Sequence, residues 1–157
     1  MKKVRLLIAA AFLVHAVAWL LPVVKEGVTL PDGLPGWQAF EMAASEVNKG
    51  KIDPWYFVVL STISAVTTIL FVLGAGWVVA IRSRILRRVS AWIAACAFII
   101  NAHWFFGFGP DRFNLRVGYF LWWASFLLLA IGLFLLSDVA PSLAVPGRNN
   151  VTGVTVP

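Results

Sequence analysis

The sequence has few of the residues on which soluble proteins depend for solubility. Only 13% of its 157 residues are charged, seven of them are acidic, and Cys96 is the one cysteine. Soluble domains contain about 25% charged residues, so this composition excludes an ordinary soluble domain. A single cysteine also excludes an intramolecular disulfide and therefore a small disulfide-stabilised scaffold.

The sequence also lacks the short motifs that mark common enzymes and cofactor sites. It contains no G-x-S-x-G, no H-E-x-x-H, no P-loop and no acidic metal-binding motif. No carboxylate lies within an apolar segment, so the usual basis for proton-coupled transport is missing. Quinone-linked disulfide chemistry would need paired cysteines. We therefore expect a non-enzymatic protein without a cofactor or a metal site.

Long apolar segments dominate what the sequence does contain. Hydrophobic residues make up 61% of the chain and the mean hydropathy is +0.86. Four apolar segments, at about residues 4–23, 55–81, 89–106 and 118–137, are each long enough to cross a bilayer. They lack the alternation of barrel strands, so we expect helices. The predicted fold is an all-α membrane protein, a four-transmembrane-helix antiparallel bundle forming a single domain over residues 1–138.

The first outer loop is expected to contain a helix, whereas the C-terminal tail is expected to be loosely ordered. In the first outer loop, about residues 24–54, Trp37 and Phe40 recur with Ala44 and Val47 on one face of a predicted amphipathic helix at about 36–48. Such a helix lies on the membrane surface, caps the bundle or docks a partner through Trp37 and Phe40. Residues 139–157 are expected to form a loosely ordered cytoplasmic tail.

The basic residues predict the orientation in the membrane. The excess of six positive charges does not indicate nucleic-acid binding, because half of the basic residues lie in two short tracts beside apolar segments. With both termini inside, eight Lys and Arg residues face the cytoplasm and five face outward, which agrees with the positive-inside rule. The second tract, Arg82, Arg84, Arg87 and Arg88, is predicted to be an inner loop that fixes topology and attracts anionic lipid.

The first apolar segment has a second interpretation. Lys2 and Lys3, a short apolar stretch and the sequence Ala16-Val17-Ala18 resemble a signal peptide with its cleavage site. Apolar residues continue through Trp19-Leu20-Leu21, where a signal peptide usually becomes polar. This continuation favours a retained transmembrane helix, and cleavage after residue 18 stays as the alternative.

Every predicted span carries one stripe of small or polar residues, and such stripes mark the faces that pack against other helices in lipid. The stripes consist of Ala11, His15 and Ala18 in the first span; Ser61, Ser64, Ala65, Thr68 and Ala75 in the second; Ser90, Ala94, Ala97 and Asn101 in the third; and Gly118, Ser125 and Gly132 in the fourth. We expect the four stripes to converge inside one bundle. Dimerisation through one stripe is the competing interpretation.

The polar members of these stripes lie at a similar depth. His15, Ser61, Asn101 and Ser125 each fall within two turns of a tryptophan at the predicted outer interface. We predict a shallow polar layer in which His15 and Asn101 approach each other or share a water. The layer is either a set of hydrogen bonds between helices or a site for a small molecule or proton. His103 is predicted to face away from it, together with Trp92 and Cys96.

One pattern joins the first span to the first outer loop. It consists of Leu21-Pro22 at the end of the span and Leu34-Pro35-Gly36-Trp37-Gln38-Ala39-Phe40 in the loop, and three closely spaced spans follow. This arrangement resembles small four-span proteins of the bacterial inner membrane that carry a comparable Leu-Pro and Gly-Trp-x-Ala pattern. The resemblance implies a bacterial inner-membrane location. It implies no activity.

Two functions are compatible with these residues. The first is a non-enzymatic accessory or interaction protein whose partners are membrane lipids and another membrane protein or a second copy of itself. The second is a protein that binds or conducts a small hydrophobic molecule through the polar layer at His15, Ser61, Asn101 and Ser125. A cavity that reaches this layer from the outer surface would favour the second function.

Overall fold

The computed structural model describes residues 2–25, 33–41, 55–80, 83–107 and 113–139. Three predicted features lie wholly or partly outside these residues: Arg82, the second half of the loop helix and the tail from residue 140. The described helices are α1 (Lys2–Leu20), α2 (36–41), α3 (Trp55–Ala80), α4 (Arg84–Asn101), α5 (His103–Gly107) and α6 (Val117–Val139).

Three of these helical segments are long and apolar enough to cross a membrane. They are Lys2–Leu20, Arg84–Phe106 and Val117–Asp138, while α3 contributes a shorter apolar stretch, Val58–Gly74. The chain is therefore a mostly helical, membrane-embedded protein, as its composition predicts.

The third predicted span begins earlier than the apolar pattern indicated. Ser83 caps the helix because its hydroxyl oxygen accepts a hydrogen bond from the Leu86 N–H at 3.4 Å. Arg84, Arg87 and Arg88 therefore belong to the first turns of α4, and the prediction that they form an inner loop is wrong for these three residues. At the other end, the turn at Ala102 separates α4 from α5.

The first predicted span ends earlier than expected, and an extended segment replaces its last turn. Strand β1 (Pro22–Val24) pairs in antiparallel fashion with β2 (Leu34–Pro35), and Val24 forms a bridge with Leu115. Pro22 has no N–H for the helical hydrogen bond and disfavours continuation of α1. The prediction of an exclusively helical chain omitted this small sheet.

Backbone hydrogen bonds and two close approaches hold this sheet to the helices. The Arg116 N–H donates to the Val23 oxygen at 2.8 Å, and the Gly36 N–H donates to the Leu21 oxygen at 3.1 Å. A Cβ atom at Gly118 would lie 2.7 Å from the Pro22 oxygen, and one at Gly36 would lie 2.6 Å from the Ala18 oxygen. The Leu-Pro and Gly-Trp pattern of the sequence thus forms a tightly packed junction, the clasp, made of residues 21–25, 34–36 and 114–118.

Helix α6 lies between α1 and α4, and α3 packs against α4 over a smaller area. The predicted small-residue stripes face inward, as expected: the buried stripe residues are Ala11, His15 and Ala18 of α1, Ser61, Ser64 and Thr68 of α3, Ala94, Ala97 and Asn101 of α4, and Gly118, Ser125 and Gly132 of α6. Ala65 and Ser90 are half-buried, and the Ala75 side chain lies outside the described residues. Small side chains permit close approach of helix backbones in lipid, which explains why these faces pack.

Candidate functional site: a buried histidine and a polar network

His15 of α1 is packed among the aromatic rings of neighbouring helices. Its imidazole stacks on Phe71 with ring centroids 4.0 Å apart, and the edge-on ring of Phe126 lies 5.7 Å away. Only 3% of His15 is exposed. The ring is therefore held in one orientation by α3 on one side and α6 on another.

Ser125 is the described hydrogen-bond partner of His15. The Ser125 hydroxyl donates to the Trp122 carbonyl oxygen and lies 2.9 Å from His15 Nδ1. A neutral imidazole has one N–H donor and one acceptor nitrogen, so the direction of this hydrogen bond depends on the tautomer of His15. The other ring nitrogen, Nε2, has no hydrogen-bond partner among the described residues.

Asn101 forms the centre of a second polar group between α3 and α4. Its Oδ1 accepts a hydrogen bond from the Ser64 hydroxyl at 2.6 Å, and its Nδ2 donates to Thr67 Oγ1 at 3.1 Å and to the Ala97 oxygen at 2.8 Å. Trp104 Nε1 also donates to Ser64 Oγ at 3.1 Å. These side chains join α3 to the α4–α5 segment.

Trp122 links the two polar groups. Its carbonyl accepts from Ser125, and its Nε1 donates to Thr68 Oγ1 at 3.3 Å. The Thr68 hydroxyl in turn donates to the Ser64 carbonyl. His15 and Asn101 therefore lie at the two ends of one network, each with its own hydrogen-bond partners, and their predicted approach or shared water stays a prediction.

The membership of the network differs from the prediction made from the depth of residues in the membrane. Ser61 is buried one turn before Ser64, yet it takes no part in the hydrogen bonds among the described residues. Thr67 and Phe71 were not predicted as members. Their signal in the sequence is their spacing of three and seven residues from Ser64, which places them beside the same helix face.

An open apolar groove of about 150 Å³ lies beside Thr68 of this network. Its lining residues come from three elements: Trp19 of α1, Phe40 of α2, and Thr68, Ile69, Val72 and Leu73 of α3. Trp19 and Phe40 stack on each other with centroids 5.5 Å apart. The groove thus meets the network at Thr68, and none of the residues predicted for the polar layer lines it.

The two residues predicted to contact a partner have different surroundings. Trp37 is 46% exposed, whereas Phe40 is half-buried against Trp19 of the same chain. The loop helix was expected to lie on the membrane surface, to cap the bundle or to dock a partner. The stacking of Phe40 on Trp19 corresponds to capping of the bundle. Only Trp37 of this pair presents a large exposed surface.

The arginines at the start of α4 meet an acid at the end of α6. Arg88 Nη2 lies 3.1 Å from Asp138 Oδ1, and Arg84 Nη2 lies 4.0 Å from the same oxygen. All three side chains are about half exposed, so these ion pairs contribute about 0–1 kcal/mol to stability. Two cations around one carboxylate leave a net positive charge at this end of the helices.

Trp92 and Cys96 lie on the exposed face of α4, as predicted. His103 is half-buried in α5, and its Nδ1 lies 2.7 Å from the Ile100 carbonyl oxygen. Within the described residues, no three His, Cys, Asp or Glu side chains lie close enough together to hold a metal ion.

The chain matches no protein-family model, no curated protein and no solved structure.

Proposed function

We propose that this chain is a four-span protein of the bacterial inner membrane that acts without catalysis, as an accessory or interaction protein. Exposed Trp37, held on a helix that caps the bundle, is the observation that carries this proposal. Tryptophan is enriched at the centres of protein interfaces because it buries a large area at low entropic cost. The partner is another membrane protein or a second copy of the chain, with membrane lipid around both.

The length and polar contacts of α3 support a fourth span. Its 26 residues extend about 39 Å as a helix, more than the roughly 30 Å of hydrocarbon in a bilayer. Its polar face, with Ser64 and Thr68, is covered by α4 and α6. The opposite face, including Leu70 and Leu73, is exposed and apolar, which is the composition expected of a surface in contact with lipid.

The retained α1 is part of the same proposal. His15 and Ala11 are buried against the other helices, and Gly132 of α6 lies close to Ile8. Cleavage after residue 18 would remove the hydrogen-bond partner of Ser125 and uncover the small-residue face of α6. Such a loss is unfavourable, which supports a transmembrane helix rather than a signal peptide.

The distribution of charge supports an orientation with both termini in the cytoplasm. Arg84, Arg88 and Asp138 lie at one end of α4 and α6, and the clasp with Lys25 and Arg116 lies at the other. The rule that basic residues accumulate on the inner side assigns the first of these ends to the cytoplasm.

Cysteine labelling tests the topology. In a Cys96→Ala background, Lys25→Cys is expected to react with a membrane-impermeant maleimide added to intact cells. Ser83→Cys is expected to react only after the membrane is opened. Equal labelling of both positions in intact cells contradicts the proposed orientation.

Cross-linking in the native membrane, followed by mass spectrometry, tests the interaction function. Trp37→Ala is expected to reduce a cross-linked complex at least tenfold, because truncation of an interface tryptophan costs about 2 kcal/mol or more. Trp77→Ala is the matched control, since Trp77 is 71% exposed on α3. A complex that survives Trp37→Ala, or that is lost equally in both variants, refutes the proposal.

A specific observation also favours the second candidate function, binding of a small hydrophobic molecule. An open groove is lined by Trp19, Phe40 and four α3 residues, one of which, Thr68, belongs to the polar network. A pocket lined by apolar and aromatic side chains with a few polar groups nearby is the common form of a small-molecule site.

A further inference from the structure

The groove beside Thr68 lies between two helices that meet through side chains. The backbones of α1 and α3 approach each other at few points. Phe71 of α3 stacks on His15 of α1 with ring centroids 4.0 Å apart. Trp19, one turn after His15, and Val72, next after Phe71, both line the groove. The groove is therefore the gap that remains between α1 and α3 where this ring contact ends.

The surface of the groove is entirely apolar. No polar atom of its six lining residues contributes to that surface. The Thr68 hydroxyl is already used, since it donates to the Ser64 carbonyl oxygen at 3.0 Å and accepts from Trp122 Nε1 at 3.3 Å. An ordered water needs about two to four polar partners, and a polar ligand would leave its own groups without hydrogen bonds. The chemistry of the groove therefore fits hydrocarbon.

The groove is open on the side of α3 that is expected to contact lipid. Ile69, Val72 and Leu73 line it, and each is about half exposed or more on the same apolar face as Leu70. In a membrane-embedded chain this opening is continuous with the hydrocarbon of the bilayer. Phospholipid acyl chains are the apolar groups at the highest concentration there, so mass action favours them over any other apolar ligand.

The size of the groove excludes a helix of a partner or of a second copy. One turn of an α-helix, about 10 Å across and 5.4 Å long, fills about 420 Å³. The groove has a volume of about 150 Å³. An unbranched acyl chain is narrower and flexible, so it can enter. On the side of α2, the stacked rings of Trp19 and Phe40, 5.5 Å apart, form a wall for such a chain.

We infer that the groove between α1 and α3 binds one acyl chain of a membrane phospholipid. The inference rests on the second candidate function, binding of a hydrophobic molecule, and names the ligand as lipid hydrocarbon. The chain lies between Trp19 and Phe40 on one side and Val72 and Leu73 on the other. Because bilayer hydrocarbon is as apolar as the groove, van der Waals packing rather than the hydrophobic effect holds the bound chain.

Photolabelling of the unaltered full chain tests the position of the acyl chain. The protein is placed in phosphatidylcholine nanodiscs that contain a small fraction of phosphatidylcholine with a diazirine in the middle of one acyl chain. After illumination, peptide mass spectrometry compares Val72, which lines the groove and is 51% exposed, with Leu70, which does not line it and is 52% exposed. The yield of adducts is expected to be several-fold higher at Val72. Equal yields overturn the inference, because ordinary lipid contact labels both residues alike.

A pair of tryptophan variants tests whether the bound lipid depends on the groove. Val72→Trp fills the groove, whereas Leu70→Trp adds the same side chain to the exposed face of α3. Native mass spectrometry counts the phospholipids that each chain retains after gentle extraction. Val72→Trp is expected to retain one lipid fewer than the unaltered protein and Leu70→Trp. Equal lipid counts in the two variants, or a dimer that only Val72→Trp disrupts, overturn the inference.

A small apolar probe distinguishes this inference from the second candidate function. Fluorine NMR measures binding of 4-fluorotoluene to both variants in the same nanodiscs. Equal lipid counts together with loss of 4-fluorotoluene binding in Val72→Trp alone overturn the acyl chain as ligand and leave the small-molecule function standing. If Val72→Trp changes neither measurement, the inference and the second candidate function fail together.

Discussion

Two serines one turn apart on α3 provide a direct test of the polar network. Ser61 is 4% exposed and Ser64 is 5% exposed, so alanine at either position removes the same buried hydroxyl group. Only Ser64 forms described contacts across helices: it donates to Asn101 Oδ1 at 2.6 Å and accepts from Trp104 Nε1 at 3.1 Å. The difference between the two variants therefore isolates these two hydrogen bonds.

The expected difference follows from the value of a hydrogen bond between membrane helices. Such bonds contribute about 0.6 kcal/mol on average, so the loss of two from Ser64→Ala lowers the free energy of unfolding by about 1.2 kcal/mol. This corresponds to about an eightfold change in the unfolding equilibrium constant. Ser61→Ala loses no described hydrogen bond and is expected to change stability by less than about 0.5 kcal/mol.

Unfolding in mixed micelles with increasing sodium dodecyl sulfate, followed by far-ultraviolet circular dichroism, measures both variants against the unaltered protein. Ser64→Ala is expected to unfold at a lower detergent fraction. A double variant with Asn101→Leu reveals the coupling, because removing Ser64 matters less once its acceptor is gone. Equal stability of Ser61→Ala and Ser64→Ala, or additive effects in the double variant, refutes the proposed role of the network.

Two further predictions concern the ends of the helices. Gly118→Ala places a Cβ 2.7 Å from the backbone oxygen of Pro22 and is expected to lower the free energy of unfolding by about 1–3 kcal/mol. Gly74→Ala, whose Cβ would have nothing within 4 Å, is expected to be tolerated. The same detergent titration measures both variants, and equal stability counts against a tight clasp. Asp138→Asn removes the carboxylate paired with Arg88 and is expected to raise the proportion of anionic lipid that copurifies, as measured by lipid mass spectrometry. Asp138→Glu, which keeps the charge, is its control, and an unchanged lipid ratio in Asp138→Asn contradicts the prediction.

The inward faces of the helices could be predicted from the sequence because small and polar residues stand out within apolar segments. Ala11, His15 and Ala18 recur at helical spacing and are all buried, as are Ala94 and Ala97 of α4. A helix places residues three or four positions apart on the same face, whatever its neighbours are. Periodicity alone was therefore sufficient to assign these faces.

The hydrogen-bond partners could not be predicted from depth. His15 and Asn101 were expected to meet because each lies about one turn below a tryptophan, yet His15 bonds to Ser125, and Asn101 bonds to Ser64 and Thr67. Depth restricts a residue to a layer but does not say which helix is adjacent. The position of α6 between α1 and α4 decides which residues meet.

The boundaries of the helices show a similar limit. An apolar run marks the part of a helix that lipid surrounds, but α4 extends beyond this run because Ser83 caps it, with Arg84 and Arg88 in its first turns. At the end of α1, Pro22 ends the helix although Val23 and Val24 are apolar. Capping and backbone pairing, rather than hydrophobicity, determine these ends.

The amino-acid sequence by itself determined that the chain is helical, embedded in a membrane and packed through small-residue faces. These properties depend on composition and on spacing along one helix, which are local. Only the tertiary structure decided that His15, Ser125 and Asn101 belong to one network, that His15 Nε2 has no partner among the described residues, and that a groove lined by Trp19 and Phe40 lies beside Thr68. Cavities and unsatisfied groups depend on which surfaces meet, and this is set by the packing of several helices together.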